Sequence, residues 1–195
     1  MNEPHLRPEH NRARRRGTIV GVDESLELHG RQVVLRTTRR DDRDALVAIR
    51  STDEVRRWWR GDDLAAEFDD DLGDEEVHRF TILDLTHRTV GLVQYAEEVD
   101  SQYRHASVDI YIDPHVHRQG HATDALRTIV EYLFDVRGHH RLTIDPAADN
   151  EAAIACYSRI GFEPVGVMRS YQLQDDGYWA DGLLMELLES DRPTH

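Results

Sequence analysis

The strongest constraint on the fold lies in residues 122–134. Ala122, Ala125, Leu126, Ile129, Val130, Leu133 and Phe134 recur there at the i, i+3, i+4, i+7 spacing of one helix face. An apolar stripe that wide has to be covered, and the neighbouring segments offer a sheet to cover it. Before the helix, ASVDIYID alternates with Val108, Ile110 and Ile112 on one face and Asp109 and Tyr111 on the other. After it, HRLTID reads as another short strand. The chain is therefore expected to be an α/β or α+β protein with this helix packed on a sheet.

The remaining pattern agrees with this. LELHGRQVVLRTT alternates apolar and polar residues on both sides of His29-Gly30, which predicts a hairpin whose second strand runs through Val33, Val34 and Leu35. From Asp41 the period turns helical, with Asp41 or Asp42 as cap and Leu46, Val47 and Ile49 as the apolar face. A second helix from Thr52 carries EVRRWWRG. The acidic run GDDLAAEFDDDLGDEE then connects it to a strand pair, RFTILDL and TVGLVQYAEEV, separated by THR. Asn150 caps a helix that ends at Ile160, where Gly161 stops it. Two last strands, EPVGVMRSYQL and YWADGLLMELL, flank the turn signal DDG. That hairpin is compatible with pairing across a homodimer, which nothing in its sequence demands.

A length of 195 residues suits one domain with an appended tail. Residues 1–16, with five arginines and almost no apolar side chain, read as a mobile basic tail, leaving 17–195 as a single domain. A formal charge of −14 excludes nucleic acid or an anionic membrane as the main partner, since both need a basic face, and it accommodates a cationic one. The same acidic excess also serves solubility. No apolar run approaches the roughly 18 residues of a membrane span, and the N-terminus lacks the apolar stretch of a signal peptide. A cytoplasmic protein is expected, and the single Cys156 fits a reducing compartment.

Between strand and helix stands HVHRQGHAT. A tight turn there places several backbone N–H groups at the positive end of a helix, which is an anion site. Gly120 allows close backbone approach, Ala122 is small enough not to block it, and Arg118 adds charge. Taken alone, one glycine before a helix reads equally as an ordinary loop. Downstream, DPAADNEAAIACYSRIGF joins a capped helix to a glycine stop and sets Tyr157 about two turns after Asn150.

The two segments together, IYIDPHVHRQGHATDAL and DPAADNEAAIACYSRIGF, resemble the GCN5-related N-acetyltransferases over roughly residues 30–190. The resemblance implies an α+β fold in three layers, a mixed, largely antiparallel sheet flanked by helices, with a V-shaped splay between two central strands that holds acetyl-CoA. By motif, backbone groups of Ile110, Tyr111 and Ile112 would meet the pantetheine arm. His117, Arg118, Gln119, Gly120, His121, Ala122 and Thr123 would wrap the pyrophosphate. Asn150 would contact pantetheine and Tyr157 would be the general acid that protonates the departing thiolate. The family usually begins the phosphate loop with Arg or Gln, where this chain has His117, and Ala122 replaces a final glycine. A base must also free the amine of a proton. Asp109 is the first candidate and Asp145 the rival, and the two carboxylates can share the binding of one cationic amine.

Within that superfamily the pattern looks most like the aminoglycoside 6'-N-acetyltransferases and relatives that acylate siderophore lysines. Trp58 and Trp59, followed by Gly61, resemble the part of that group that helps to build the acceptor cleft. Trp58, Trp59, Asp145 and Asp181 are the expected substrate contacts, and an aminoglycoside, as a cationic amine, is the expected acceptor. Acetylation of a protein N-terminus, of a polyamine or of a siderophore lysine remains as an alternative, as does an acetyl-CoA-binding module with weak catalysis. His115, His117 and His121 cluster in sequence, but a turn before a helix does not present them as one tetrahedral set, so no metal is expected. Cys156 diverges from Tyr157 by about 100° on the helix and reads as a buried, inert thiol.

Overall fold

The computed structural model describes residues 26–174 and 177–192. The basic segment 1–16, residues 17–25 and the two aspartates of the DDG turn signal lie outside the described residues. β1 (Glu27–His29) and β2 (Val33–Thr37) form the opening hairpin, followed by helices α1 (Arg43–Arg50), α2 (Asp53–Arg56) and α3 (Leu64–Asp71). Then come β3 (Val77–Asp84), β4 (Thr89–Glu98), β5 (His105–Ile112), α4 (His121–Glu131), β6 (Arg141–Ile144), α5 (Glu151–Ile160), β7 (Glu163–Leu173) and β8 (Trp179–Leu188). All eight strands form one sheet in the order β1-β2-β3-β4-β5-β6-β8-β7.

Every described pairing is antiparallel except β5 with β6. That parallel pair holds only at Ala106 with Leu142 and Ser107 with Thr143. β5 continues to Ile112 along β4, while the chain after β6 follows β8 instead: Leu183 N–H donates to Pro146 O at 2.8 Å and Ala148 N–H to Asp181 O at 2.9 Å. The two central strands therefore part after one short contact, and the splay is the opening in which the site lies.

Both faces of β5 are covered, as three layers require. Val108 and Ile112 pack into the larger core with Leu126, Ile129 and Leu133 of the α4 side and Ile160 of α5. Tyr111 packs into a second cluster with Leu46, Ile49, Val55 and Phe68 from α1–α3. The α4 helix ends in a wide π turn, Tyr132–Val136, which buries Tyr132, Leu133 and Phe134.

Three local expectations change. Asp42 does not cap α1: its carboxylate is drawn inward to Arg36 Nη2 at 2.6 Å, Thr81 Oγ1 at 2.8 Å and Arg39 N–H at 2.8 Å, tying β2 to β3. The helix after Thr52 stops at Arg56, and Trp58 and Trp59 lie in the turn beyond it, both with N–H groups bonded to Val55 O. The acidic run is not a mere connection. Asp63 accepts from Ala66 N–H at 3.0 Å and starts α3, whose Leu64 and Phe68 are buried one turn apart. Its acids face arginines: Glu67 meets Arg50 at 2.7 Å, Asp69 meets Arg43 at 3.4 Å and Asp71 meets Arg79 at 3.2 Å.

Candidate active site

The splay opens into a cleft of about 1280 Å³ between β5, the start of α4, α5, the α2–α3 turn and the last hairpin. Of the residues singled out from the sequence, all but Gln119 line it. Gln119 sits exposed in the loop.

At one end lies the loop before α4. Arg118 and Gly120 both have left-handed backbones, with φ of 62° and 91°. At Gly120 the conformation calls for glycine; a Cβ there would also meet Gln32 Oε1 at 2.9 Å, the movable end of a flexible side chain. The first backbone bond into the helix is Asp124 N–H to Gly120 O at 2.9 Å. Among the described residues, the N–H groups of 118–123 have no intramolecular acceptor. Six unmet donors at a helix N-terminus are the donor set a pyrophosphate needs.

The loop is held from below. Asp113 accepts from His115 N–H at 3.0 Å and meets Arg88 at 2.6 Å. Asp124 accepts from Gln32 N–H at 2.7 Å and Val33 N–H at 3.1 Å, which clamps the β1–β2 turn to α4. His117 turns back rather than outward, donating through Nε2 to Ile112 O at 3.2 Å. His115 Nδ1 meets Asp113 Oδ1 at 2.8 Å. Among the described residues no group of three or more His, Cys, Asp or Glu is arranged for a metal ion.

In the middle of the cleft, β5 past Ser107 has no partner on its β6 side, which leaves the backbone edge around Ile110 open to an extended ligand. Asn150 caps α5 through Oδ1, accepting from Ala153 N–H at 3.2 Å, and its Nδ2 makes no bond within the described residues. Tyr157, two turns on, is buried with its ring edge-on to Phe162, 6.4 Å between centroids. Burial, then the charges around it, push its phenol up, so it stays protonated. Cys156 differs from expectation: it is half-buried and lines the same cleft, with Sγ 3.6 Å from Thr123 Oγ1. The cleft runs along α5 and is wide enough to take side chains that diverge on the helix.

At the other end stand the carboxylates. Asp109, half-buried on β5, has Gln94 Nε2 3.5 Å away. Burial and the nearby charge of Asp145 push it up from 3.8 to about 6. Asp145 follows β6 directly, and Tyr171 of β7, a residue the sequence reading missed, lines the same cleft, where the Asp145 charge pushes its phenol up. Asp181 accepts from Ser170 N–H at 2.8 Å. Trp59 packs edge-on to Tyr111, with centroids 4.8 Å apart, as part of the α1–α3 cluster, and Trp58 carries Arg57 over its ring at 4.5 Å. The cleft thus combines an anion cradle, an open strand edge, a protonated phenol and a raised carboxylate.

Comparison with known proteins agrees with that chemistry. Residues 32–163 match the acetyltransferase (GNAT) domain family. The spermidine N(1)-acetyltransferase of Escherichia coli (strain K12) is 27% identical over 140 residues, covering 69% of this chain and 74% of its own. Among solved structures, the spermidine N-acetyltransferase from Vibrio cholerae in complex with CoA and spermine superposes with a TM-score of 0.71 at 22% identity, over 82% of this chain and 97% of that one. The ribosomal-protein-S5-alanine acetyltransferase from Vibrio fischeri gives 0.72 at 16% identity, over 87% and 100%.

Proposed function

The chain belongs to the GNAT acetyltransferase family and is an acetyl-CoA-dependent N-acetyltransferase, and from that premise we propose that it acetylates a primary amine of a polycationic small molecule, an aminoglycoside, in the cytoplasm. The observation that carries this reading is the gathering of Asp109, Asp145 and Asp181 around the acceptor end of the cleft, beside the phenol of Tyr157. Several carboxylates in one cleft attract and orient an acceptor with several ammonium groups.

Acetyl-CoA supplies an acyl group activated as a thioester, with its pyrophosphate on the amides of 118–123. The residues of the chain manage two protons. Asp109, raised to about 6, is ionised at neutral pH yet basic enough to take a proton from the bound ammonium. The freed amine forms the N–C bond as the C–S bond breaks. Tyr157, held protonated by burial, delivers a proton to the departing sulfur, and the second proton, which the nitrogen sheds on becoming an amide, restores the phenol. With amine attack direct, Cys156 carries no acyl group.

A second acceptor class, a linear polyamine, is favoured by the 27% identity to a spermidine acetyltransferase. Thiol release from acetyl-CoA, measured with kanamycin-type aminoglycosides, spermidine, a lysine-type siderophore precursor and N-terminal peptides, separates the classes. The highest kcat/KM is expected with an aminoglycoside. A ranking led by spermidine or a peptide overturns the acceptor assignment. No thiol release with any amine, together with clear CoA-dependent thermal stabilisation, overturns the enzymatic reading in favour of a binding module.

A further inference from the structure

The alternation along β4 puts one polar side chain beside the base. Val93 and Tyr95 are buried in the larger core, so Gln94 points to the opposite face, in the row of Leu92, which packs with the α1–α3 cluster. Its register partner on β5 is Asp109, which sets the two side chains directly opposite each other on that face. Gln94 Nε2 donates to Asp109 Oδ2 at 3.5 Å. That is a long bond, of the kind that tightens when a charged reactant draws the carboxylate into line.

What faces the rest of the amide decides which way round it sits. Gln94 lines the main cleft and also a small cavity of about 20 Å³ behind it, whose wall includes Arg50, Arg79, Trp59 and Tyr111. The outer nitrogens of both arginines are engaged: Arg50 Nη2 with Glu67 at 2.7 Å and Arg60 O at 2.6 Å, and Arg79 Nη1 with Asp71 O at 2.6 Å. Their Nε–H groups are buried and have no acceptor among the described residues. The amide oxygen is the end of Gln94 that suits a wall of such donors, and the NH2 is the end that suits a carboxylate. A flipped amide would set donor against donor on one side and oxygen against carboxylate on the other.

We infer that Gln94 is a positioning residue for the transfer: its amide, oriented by the arginine wall, holds one oxygen of the Asp109 carboxylate and leaves the other free to take the proton of the acceptor ammonium. The inference rests on the reading of Asp109 as base. The other charged and titratable groups that face Asp109 are Asp145 after β6, Tyr157 of α5 and Tyr171 of β7, with Arg57 and Arg60 of the α2–α3 turn on the wall of the same cleft. Among the described residues, no other side chain donates a hydrogen bond to Asp109. Loss of this one is therefore not made up by a neighbour, and the carboxylate then keeps its proton to higher pH.

Gln94→Leu keeps a side chain of similar bulk and deletes the donor. The expected result is a rise of about half a pH unit in the acid limb of kcat/KM for the amine. A roughly tenfold fall in kcat goes with it, while KM for acetyl-CoA stays unchanged. Gln94→Glu keeps the shape of the amide but sets a like charge against Asp109, and should move the limb up by about one pH unit or more. In an Asp109→Asn background, Gln94→Leu should have no further effect on kcat. A limb that stays in place in both single variants overturns the inference. So does a lower melting temperature with a uniform fall in kcat at every pH, which marks a structural role alone. Asp109→Asn measured by itself keeps the two claims apart. If it retains the wild-type rate, the reading of the base fails and the inference falls with it; if its rate falls while the Gln94 variants keep the wild-type limb, the inference alone fails.

Discussion

Replacing Asp109 by asparagine should weaken the enzyme and strengthen the fold. The substitution keeps the side-chain volume and, through Oδ1, an acceptor for Gln94 Nε2 at 3.5 Å. In the folded chain, burial and then Asp145 raise Asp109 from 3.8 to about 6. That gap of about two pH units, at 1.36 kcal/mol each, corresponds to an upper bound of roughly 3 kcal/mol. Water in the open cleft reduces it, and about 1–2 kcal/mol is the working expectation. Because the folded pKa lies above the unfolded one, the folded chain binds more protons between about pH 4 and 6, and stability falls as pH rises through that window. The cost is fully present above pH 6, and neutral Asn escapes it. Urea melts should therefore show the variant more stable than wild type by this amount at pH 8, with the difference gone near pH 4. Thiol release should fall by about 10²-fold or more. Equal stability at pH 8 would refute the argument that Asp109 is desolvated and crowded by Asp145, and an unchanged rate would refute its role as base.

Tyr157→Phe removes the proton donor from a buried position and should lower kcat by about 10²-fold, with KM for acetyl-CoA little changed in steady-state assays. Gly120→Ala forces a residue with a Cβ to a φ of 91°; a cost of about 1–2 kcal/mol at this loop should weaken CoA binding about tenfold by calorimetry and leave KM for the amine alone. Away from the cleft, Glu97 meets Arg137 Nη2 at 2.6 Å, His139 Nε2 at 2.6 Å and His78 Nε2 at 3.6 Å. Burial opposes its charge, but bonds from His139, His78 and Arg137 hold it well below the ordinary carboxylate range. Its contribution stands at neutral pH and is lost only in strong acid. Glu97→Ala removes the carboxylate that Arg137, His139 and His78 share and should cost about 2–3 kcal/mol in denaturant melts at pH 7.

Much of this was legible in residues close together in the chain. The stripe from Ala122 to Phe134, the alternation along β5, Asn150 as cap and Gly161 as stop are set by local periodicity and by backbone groups that need nearby partners. The candidate phosphate loop is legible only in part: its glycine turn and the first turn of α4 are local, while the bonds of Asp124 to Gln32 and Val33 and of Asp113 to Arg88 hold it from elsewhere in the chain. The α3 helix was legible too, in Asp63 with Leu64 and Phe68, but its acidic surface masked that spacing until the arginines of α1 and β3 were seen to neutralise it.

The sequence by itself determined the elements, the glycine turn of the phosphate loop and the list of candidate acids and bases. Only the tertiary structure decided how they are used. The parting of β5 and β6 after a single short contact arises because β8 captures the chain beyond Ile144. The inward turn of Asp42 onto Thr81, the clamp of Asp124 on the β1–β2 turn, and the tie of Ala148 to Asp181 each depend on partners remote in sequence. Local spacing dictates which backbone groups and faces need partners; which remote group satisfies them is settled by packing, and the acceptor end of this cleft is built almost wholly from such choices.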